Sequence, residues 1–273
     1  MPYTDDEFED EATGPRPSVL AKTHQLLAAF THETATLGLT ELSRRSGVPK
    51  ATTHRLAVEL VELGYLTRTA KGYQLGWRIF ELGQLVPGPA NLRNVARPVL
   101  MDLRAAMRAA IHLAVPQGFD CVYLERLVGR REMGIVTAVD ACVPSWLTAS
   151  GRLFLAHSDP QALTHLNREA LTALGVSHHS ELRAPFAQLR EQRYVEERQQ
   201  CLSGFKTISV PVTHGSSNRV VAAVSVTRPM ERKDDQQVLH ALWATASDIS
   251  RRLPAATGTS RAGATSQHSR AAV

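Results

Sequence analysis

The sequence predicts an α+β protein with an N-terminal winged helix-turn-helix, a linker helix, and a C-terminal domain of antiparallel sheet and flanking helices. Three observations predict it. Two short amphipathic segments flank Gly47 and run into a pair of β runs with a basic tip. From Ala110 onward the apolar period changes from helical to alternating. Between the two regions Pro87 and Pro89 bracket Gly88, where a helix cannot continue without loss. At 273 residues the chain suits two domains, and 43% apolar content suffices for real cores.

Along the chain, residues 18–31 (SVLAKTHQLLAAFT) place Val19, Leu20, Leu26, Leu27 and Phe30 in a helical pattern, a scaffold helix. A first short helix follows over 40–46, with Thr40 as N-cap, Glu41 at the positive end of the dipole and Leu42 inward. Ser43, Arg44 and Arg45 lie on its outer side. Gly47 supplies the turn, Val48 packs beneath it, and Pro49 suits the first position of the next helix. In that second helix Leu56, Leu60 and Leu63 form one apolar stripe. Lys50, His54 and Arg55 fall away from the stripe, and Thr52 and Thr53 lie at its edges.

Such a polar N-terminal half is what enters a major groove, which makes double-stranded DNA the expected partner. Arg55 suits a guanine edge, and Thr52 or Thr53 a phosphate or a thymine-side group. Gly64 ends the helix in the left-handed region. Residues 65–67 and 73–75 alternate as wing strands around Lys71-Gly72, with Arg68 and Lys71 as backbone contacts. The candidate DNA-binding residues are therefore Thr40, Ser43, Arg44, Lys50, Thr52, Thr53, His54, Arg55, Arg68 and Lys71. Any one of them is equally a solvated face.

Charge agrees with this assignment. Residues 1–15 carry six acids and no Lys or Arg, a net of −6, so the remaining chain carries +11 to give the overall +5. Residues 16–78 hold nine Lys/Arg against four Glu, a net of +5, as phosphate neutralisation needs. The acidic stretch reads as a disordered arm, or as a competitor with phosphate for the basic face. The domains expected are an arm at 1–15, a winged helix-turn-helix at 16–76, a linker helix at 77–94, an effector domain at 95–253 and a disordered tail at 254–273. In the linker, Ile79, Phe80 and Leu82 suit either a partner subunit or their own domain.

In the second region Val95, Val99, Leu100, Leu103 and Met107 mark the buried side of a helix over 91–110. Strands are expected at 110–115, 121–126, 132–138, 205–212 and 220–227, with helices at 148–157, 161–166, 181–192 and 234–253. Catalytic and metal motifs are not apparent. His157, Asp159, His178 and His179 lack metal-ligand spacing, and there is no GxSxG, P-loop or GxGxxG. The chain is read as not an enzyme, with no cofactor and no metal.

Cys121, Cys142 and Cys201 are too few and scattered for a disulfide framework. The acidic N-terminus is no signal peptide, and no apolar run approaches the ~20 residues of a membrane span. A cytoplasmic location and no membrane partner follow.

Eight segments in order resemble the IclR family of bacterial transcriptional regulators, over about residues 18–253. They are SVLAKTHQLLAAF, LTELSRRSGVPKATTHRLAVELVELGYLTR, YQLGWRIFELG, NLRNVARPVLMDLR, IHLAVPQGFDCVYLERLVG, VPSWLTASGRLFLA, GFKTISVPV and RVVAAVSVTRP. The resemblance implies a GAF-like effector domain and a homodimer or dimer of dimers, hence a tetramer, on a near-palindromic operator. It further implies a small organic or aromatic acid as effector and control of a catabolic operon.

Carried over by motif, the effector site takes Ile135, Val143, Trp146, Ala149, Ser150, Gly151, Glu197, Phe205, Thr207, Ser225 and Thr227. Ala149, Ser150 and Gly151 would offer backbone N–H groups at a helix N-terminus to a carboxylate. The chain departs from the family pattern at Gln199 and Gln200, where two acids are common, and at Thr207 and Trp146. Trp146 suits either an aromatic ligand or core packing. Two other readings stay open: a thiol redox sensor on the same scaffold, and an enzyme fused to a DNA-binding head.

Overall fold

Residues 17–31, 34–86, 88–129, 142–198, 203–214 and 219–253 are described by the computed structural model. The chain divides into two units between Leu85 and Val86. In the first, helix α1 (Val19–Ala28) starts on Ser18, whose hydroxyl accepts from the Ala21 N–H at 3.1 Å. Helices α2 (Leu39–Ser46) and α3 (Lys50–Glu62) and strands β1 (Leu66–Thr69) and β2 (Gly72–Leu75) follow. Leu26, Leu37, Leu42, Val48, Leu56, Leu60, Leu66 and Tyr73 make one shared core. The wing gains a third rung at Leu37, whose backbone N–H donates to the Tyr73 carbonyl at 3.0 Å and whose carbonyl accepts in return at 2.8 Å.

Several expectations shift here. Extended backbone at Gly38 makes that residue the N-cap of α2, so Thr40 is already the second helical residue. Pro49 caps α3, and Lys50 is its first residue. Gly47 does take the left-handed conformation, with φ of 68°. The buried stripe of α3 is Thr53, Leu56, Ala57 and Leu60; Leu63 lies beyond the last helical turn and is exposed. The linker helix expected over 77–94 is two helices, α4 (Trp77–Gln84) and α5 (Pro89–Met107). Helix α4 buries none of its residues, and Trp77 and Phe80 stack edge to face at 5.8 Å on its open side.

The second unit begins with α5. Strands β3 (Ala110–Gln117), β4 (Asp120–Leu127) and β5 (Cys142–Pro144) follow. A 3-10 turn over Ser145–Leu147 leads to helices α6 (Ala149–Ala156), α7 (Pro160–Leu163) and α8 (Arg168–Ala173). After α9 (Arg183–Gln192) come strands β6 (Val195–Arg198), β7 (Phe205–His214) and β8 (Arg219–Pro229), then α10 (Asp235–Arg252). The six strands form one antiparallel sheet in the order β5-β4-β3-β8-β7-β6. The strands β5 and β6 and the helix α8 are additions to the sequence expectation. The strand expected over 132–138, the arm, the tail and the turn at 215–218 lie outside the described residues.

Alternation along the strands separates two faces. On one, Ile111, Leu113, Ile208, Val210, Ala222, Val224 and Val226 pack against α5 and α10. The helices answer with Leu92, Ala96, Leu100, Leu103 and Met107, and with Val238, Leu242, Ala246 and Ile249. Val95 and Val99, expected inside, are half-buried, because the stripe of α5 runs through Leu92 and Ala96. The other face carries α6. A separate apolar cluster of Trp146, Leu155, Leu163, Leu166, Leu171, Leu182 and Phe186 holds α6–α9 to one another.

The α10 side of the sheet also buries charge. Lys206 and Arg228 are direct cross-strand partners, and like charges in that position repel. Both are almost fully buried. Asp234 and Asp235 at the start of α10 neutralise them: Lys206 Nζ lies 2.6 Å from Asp235, and Arg228 donates to both acids. Asp235→Ala should leave two buried cations with one acid. Its urea denaturation should show a loss of about 2 kcal/mol, and adding Lys206→Met should recover most of it. Full stability in the single variant would contradict this account.

Candidate functional site

In the first unit two hydroxyls converge on one carbonyl. Ser43 Oγ donates to the Val48 carbonyl at 2.7 Å from α2, and Thr53 Oγ1 donates to it at 3.0 Å from α3. Thr53 is completely buried. Both residues were expected to face DNA. Thr53 is turned inward and Ser43 is half-buried, so they clasp the turn instead. Polar side chains at a helix-turn-helix corner have an unpaired backbone group to satisfy.

What remains outward on α3 is Lys50, His54 and Arg55, all exposed, with Thr52 half-buried beside them. Arg55 leans on Glu59 at 3.4 Å, an exposed pair of small worth. Thr40 and Arg44 are exposed on α2. Glu41 accepts from Arg44 at 2.8 and 2.6 Å and from Arg45 at 2.7 Å, which holds its carboxyl down to about 2. Arg44 thus carries its own counter-charge. Lys71 stands exposed at the wing tip. Arg68 lies over the Tyr73 ring, 4.7 Å from its centroid, and donates to the Tyr73 hydroxyl.

In the second unit the expected effector residues fall mostly on the sheet face that α6 covers. Cross-strand register sets them in rows. One row runs Arg126, His112, Ser225, Ser209, Val195 across β4, β3, β8, β7 and β6. The adjacent row runs Ala110, Thr227, Thr207, Glu197. Thr207 and Thr227 share a hydrogen bond of 2.9 Å, and Ser150 at the start of α6 reaches Ser209 at 3.0 Å. Glu197, Ser225 and Thr227 are buried. Val143 pairs with Cys121 at the β5 edge, Ala149 packs on Ala114 and Cys121, and Phe205 is half-buried two residues before Thr207.

Three members of the expected set lie elsewhere. Trp146 belongs to the α6–α9 cluster, and its indole N–H finds no acceptor among the described residues. Gly151 is a packing residue: a Cβ there would stand 2.2 Å from the Ser145 carbonyl oxygen, and its N–H donates to Thr148 Oγ1 at 3.0 Å. It has no N–H to spare for a carboxylate. Ile135 lies outside the described residues.

Sequence reasoning missed His112, Tyr123, Arg126 and Ser209. Ser209 shares the parity of Thr207, which was the available signal. The others needed the register of β3 against β4 and β8. His112 is 8% exposed, its ring 5.5 Å from that of Tyr123, and the Arg126 guanidinium lies 4.8 Å from the centroid of the same Tyr123 ring. Burial first, and then the Arg126 charge, push its imidazole down to about 4.

Two other histidines, and Asp159, have local uses. His157 Nδ1 lies 2.9 Å from the Leu153 carbonyl, His179 Nε2 lies 2.8 Å from that of Leu166, and Asp159 caps α7. Cys121 pairs with Val143 while Cys142 pairs with Val122, so the two thiols point to opposite faces. Among the described residues no helix is long and apolar enough to cross a membrane.

Comparison with known proteins agrees with both halves. Residues 19–70 match the IclR helix-turn-helix domain, and residues 86–251 the C-terminal domain of the bacterial transcriptional regulator IclR. The chain is 27% identical to the HTH-type transcriptional regulator XynR of Escherichia coli over 220 residues, 78% of this chain and 87% of that one. It is also 27% identical to the Pca regulon regulatory protein of Pseudomonas putida, covering 86% of this chain and 83% of the relative. A crystal structure of an IclR homolog from Microbacterium hydrocarbonoxydans, complexed with 4-hydroxybenzoate, superposes with a TM-score of 0.74. It is 26% identical, over 86% of this chain and 98% of that one.

Two outcomes follow from the geometry. Thr53→Val should lower the stability of the first unit by about 1 kcal/mol in thermal denaturation, with DNA affinity unchanged below the transition. A large affinity loss without destabilisation would return Thr53 to the DNA face. His112 stays neutral in the folded state, so the unfolded chain takes the proton first. Stability is then full above pH 6.5 and falls as pH drops towards about 4, by up to about 3 kcal/mol. Urea midpoints between pH 7 and 4 should fall less steeply for His112→Phe than for the wild type.

Proposed function

The chain belongs to the IclR family of bacterial transcriptional regulators, and on that premise we propose that it is a ligand-responsive regulator of a catabolic operon. Its effector, in this reading, is a small organic acid, best an aromatic one. The observation that carries the reading is the convergence of Ser150, Glu197, Thr207, Ser225 and Thr227 on one buried sheet face. A buried face is costly to line with polar groups even when they bond one another in pairs, and hydroxyl oxygens with acceptor and donor capacity left over suit a ligand that carries oxygens of its own. Val143, Tyr123 and Phe205 add apolar and aromatic wall. The 4-hydroxybenzoate bound by the Microbacterium homolog is a molecule of the same kind.

On the output side, Lys50, Thr52, His54 and Arg55 are the groove-facing set, with Lys71 on the phosphate backbone. The bare apolar side of α4, with Trp77 and Phe80 outermost, supports a homodimer on a near-palindromic operator. Effector binding then acts by shifting the population of head placements, and half-sites about one helical turn apart make affinity sensitive to that placement. The opposed orientation of Cys121 and Cys142 gives a paired-thiol sensor no support.

With an operator selected from random duplexes, Arg55→Ala should weaken binding ten- to a hundredfold and relax one base position, a loss of about 1–3 kcal/mol. Lys71→Ala should weaken all duplexes alike and reduce the salt slope by about one. Adding 4-hydroxybenzoate should shift the wild-type operator titration and leave that of a Thr207→Val/Thr227→Val variant in place. An operator titration indifferent to a panel of aromatic and keto acids counts against the effector half of the proposal.

A further inference from the structure

We propose that His112 is the residue that receives the effector's carboxylate, and that the imidazole takes up a proton from solvent as it does so. The inference rests on the reading of this face as an acid-binding site. Its basis is the place of His112 in the polar rows. The ring stands between Ser225 on β8 and Arg126 on β4, nine-tenths buried. The hydroxyls of Thr207 and Thr227, and of Ser150 and Ser209, are spent on each other. The forces on His112 are burial and the Arg126 charge, with no hydrogen bond to its ring from a described residue. A buried imidazole that no described residue hydrogen-bonds, on a face built of polar groups, can offer a ligand a donor and an acceptor.

Charge orients the ligand. Glu197 lies three strand spacings from His112, about 14 Å, on the β6 edge of the same face. An anionic group is repelled from that edge and attracted towards Arg126 on β4. A hydroxyl at the opposite end of the ligand is a donor for the Glu197 side. The groups beside His112 are Arg126 and Tyr123 from β4 and Ser225 and Thr227 from β8, on the face that α6 covers. Arg126 is the one full charge among them, and it opposes protonation. A carboxylate placed against the ring reverses that balance, since an opposite charge at contact favours the protonated form. The proton rests on the imidazole, the carboxylate keeps its charge, and no covalent bond changes.

The test is isothermal titration of the full-length protein with 4-hydroxybenzoate and with its uncharged analogue 4-hydroxybenzamide, at pH 6, 7 and 8, in phosphate and in Tris. Buffers of different ionisation enthalpy report protons taken up on binding. The wild type should bind the acid with net proton uptake at pH 6–7, and about fivefold more tightly at pH 6 than at pH 8. The amide should show neither effect. His112→Gln should keep affinity for the acid near the wild-type pH 8 value without uptake, and His112→Phe should lose affinity and uptake together. Binding of the acid by the wild type without proton uptake overturns the inference alone, as does uptake that persists in His112→Gln. Failure of the wild type to bind either probe overturns it together with the reading on which it rests.

Discussion

The two-residue alternation of β3, β8 and β7 is the constraint on which the second unit depends. In β8, Ala222, Val224 and Val226 turn to α5 and α10, while Ala223, Ser225 and Thr227 turn the other way. Their neighbours repeat the split in register, so hydroxyl lies beside hydroxyl and valine beside valine. A slip of one residue would bury the hydroxyls under α10 and expose valine to the polar face, exchanging the two environments at once. The dry face supplies the cohesion, which frees the other to be polar. Between them β4 is shared. Its Glu125 accepts from Arg93 at 2.6 Å and Arg97 at 3.2 Å on α5, while Tyr123 and Arg126 serve the opposite side. The register shift between Leu113 and Ala114 is what lets one strand carry both sets.

In the first unit the corresponding device is smaller. The Val48 carbonyl sits in a corner that no helical hydrogen bond reaches, and two hydroxyls from different helices close on it. The corner fixes α2 against α3, which sets where Lys50, His54 and Arg55 emerge. The residues that hold the motif and those that face outward are of the same chemical kind, and they differ only in direction.

That explains what the sequence did and did not disclose. Period and punctuation carried the helices and long strands well: Gly47, Gly64 and the alternation in β7 and β8 are visible letter by letter. The family resemblance carried Glu197, Thr207, Ser225 and Thr227 to one face. Direction was less legible. Thr53 reads as a polar edge residue, yet hydrogen bonding to a backbone carbonyl draws it inside. Leu63 continues a perfect apolar spacing that fails because the helix stops one residue earlier. Strand β6 (VEER) is short, charged and at an edge, so composition gives it no signal, although Val195 and Glu197 are both buried. His112 lay within a recognised strand, but its neighbours come from β4 and β8, and only pairing register brings them together.

The burial of Trp146 in the α6–α9 cluster has an optical consequence. The chain has three tryptophans, and they occupy three different surroundings. Trp77 is solvent-facing on α4, Trp146 is enclosed by leucines and Phe186, and Trp243 lies 5.3 Å beneath the Arg193 guanidinium. Trp146 belongs to an apolar cluster separate from the one that packs α6 on the sheet. Its emission is therefore a gauge of how tightly the helical layer is packed, while Trp77, open to collisional quenchers, reports the surroundings of α4. Native fluorescence thus resolves two layers of the molecule without any introduced dye.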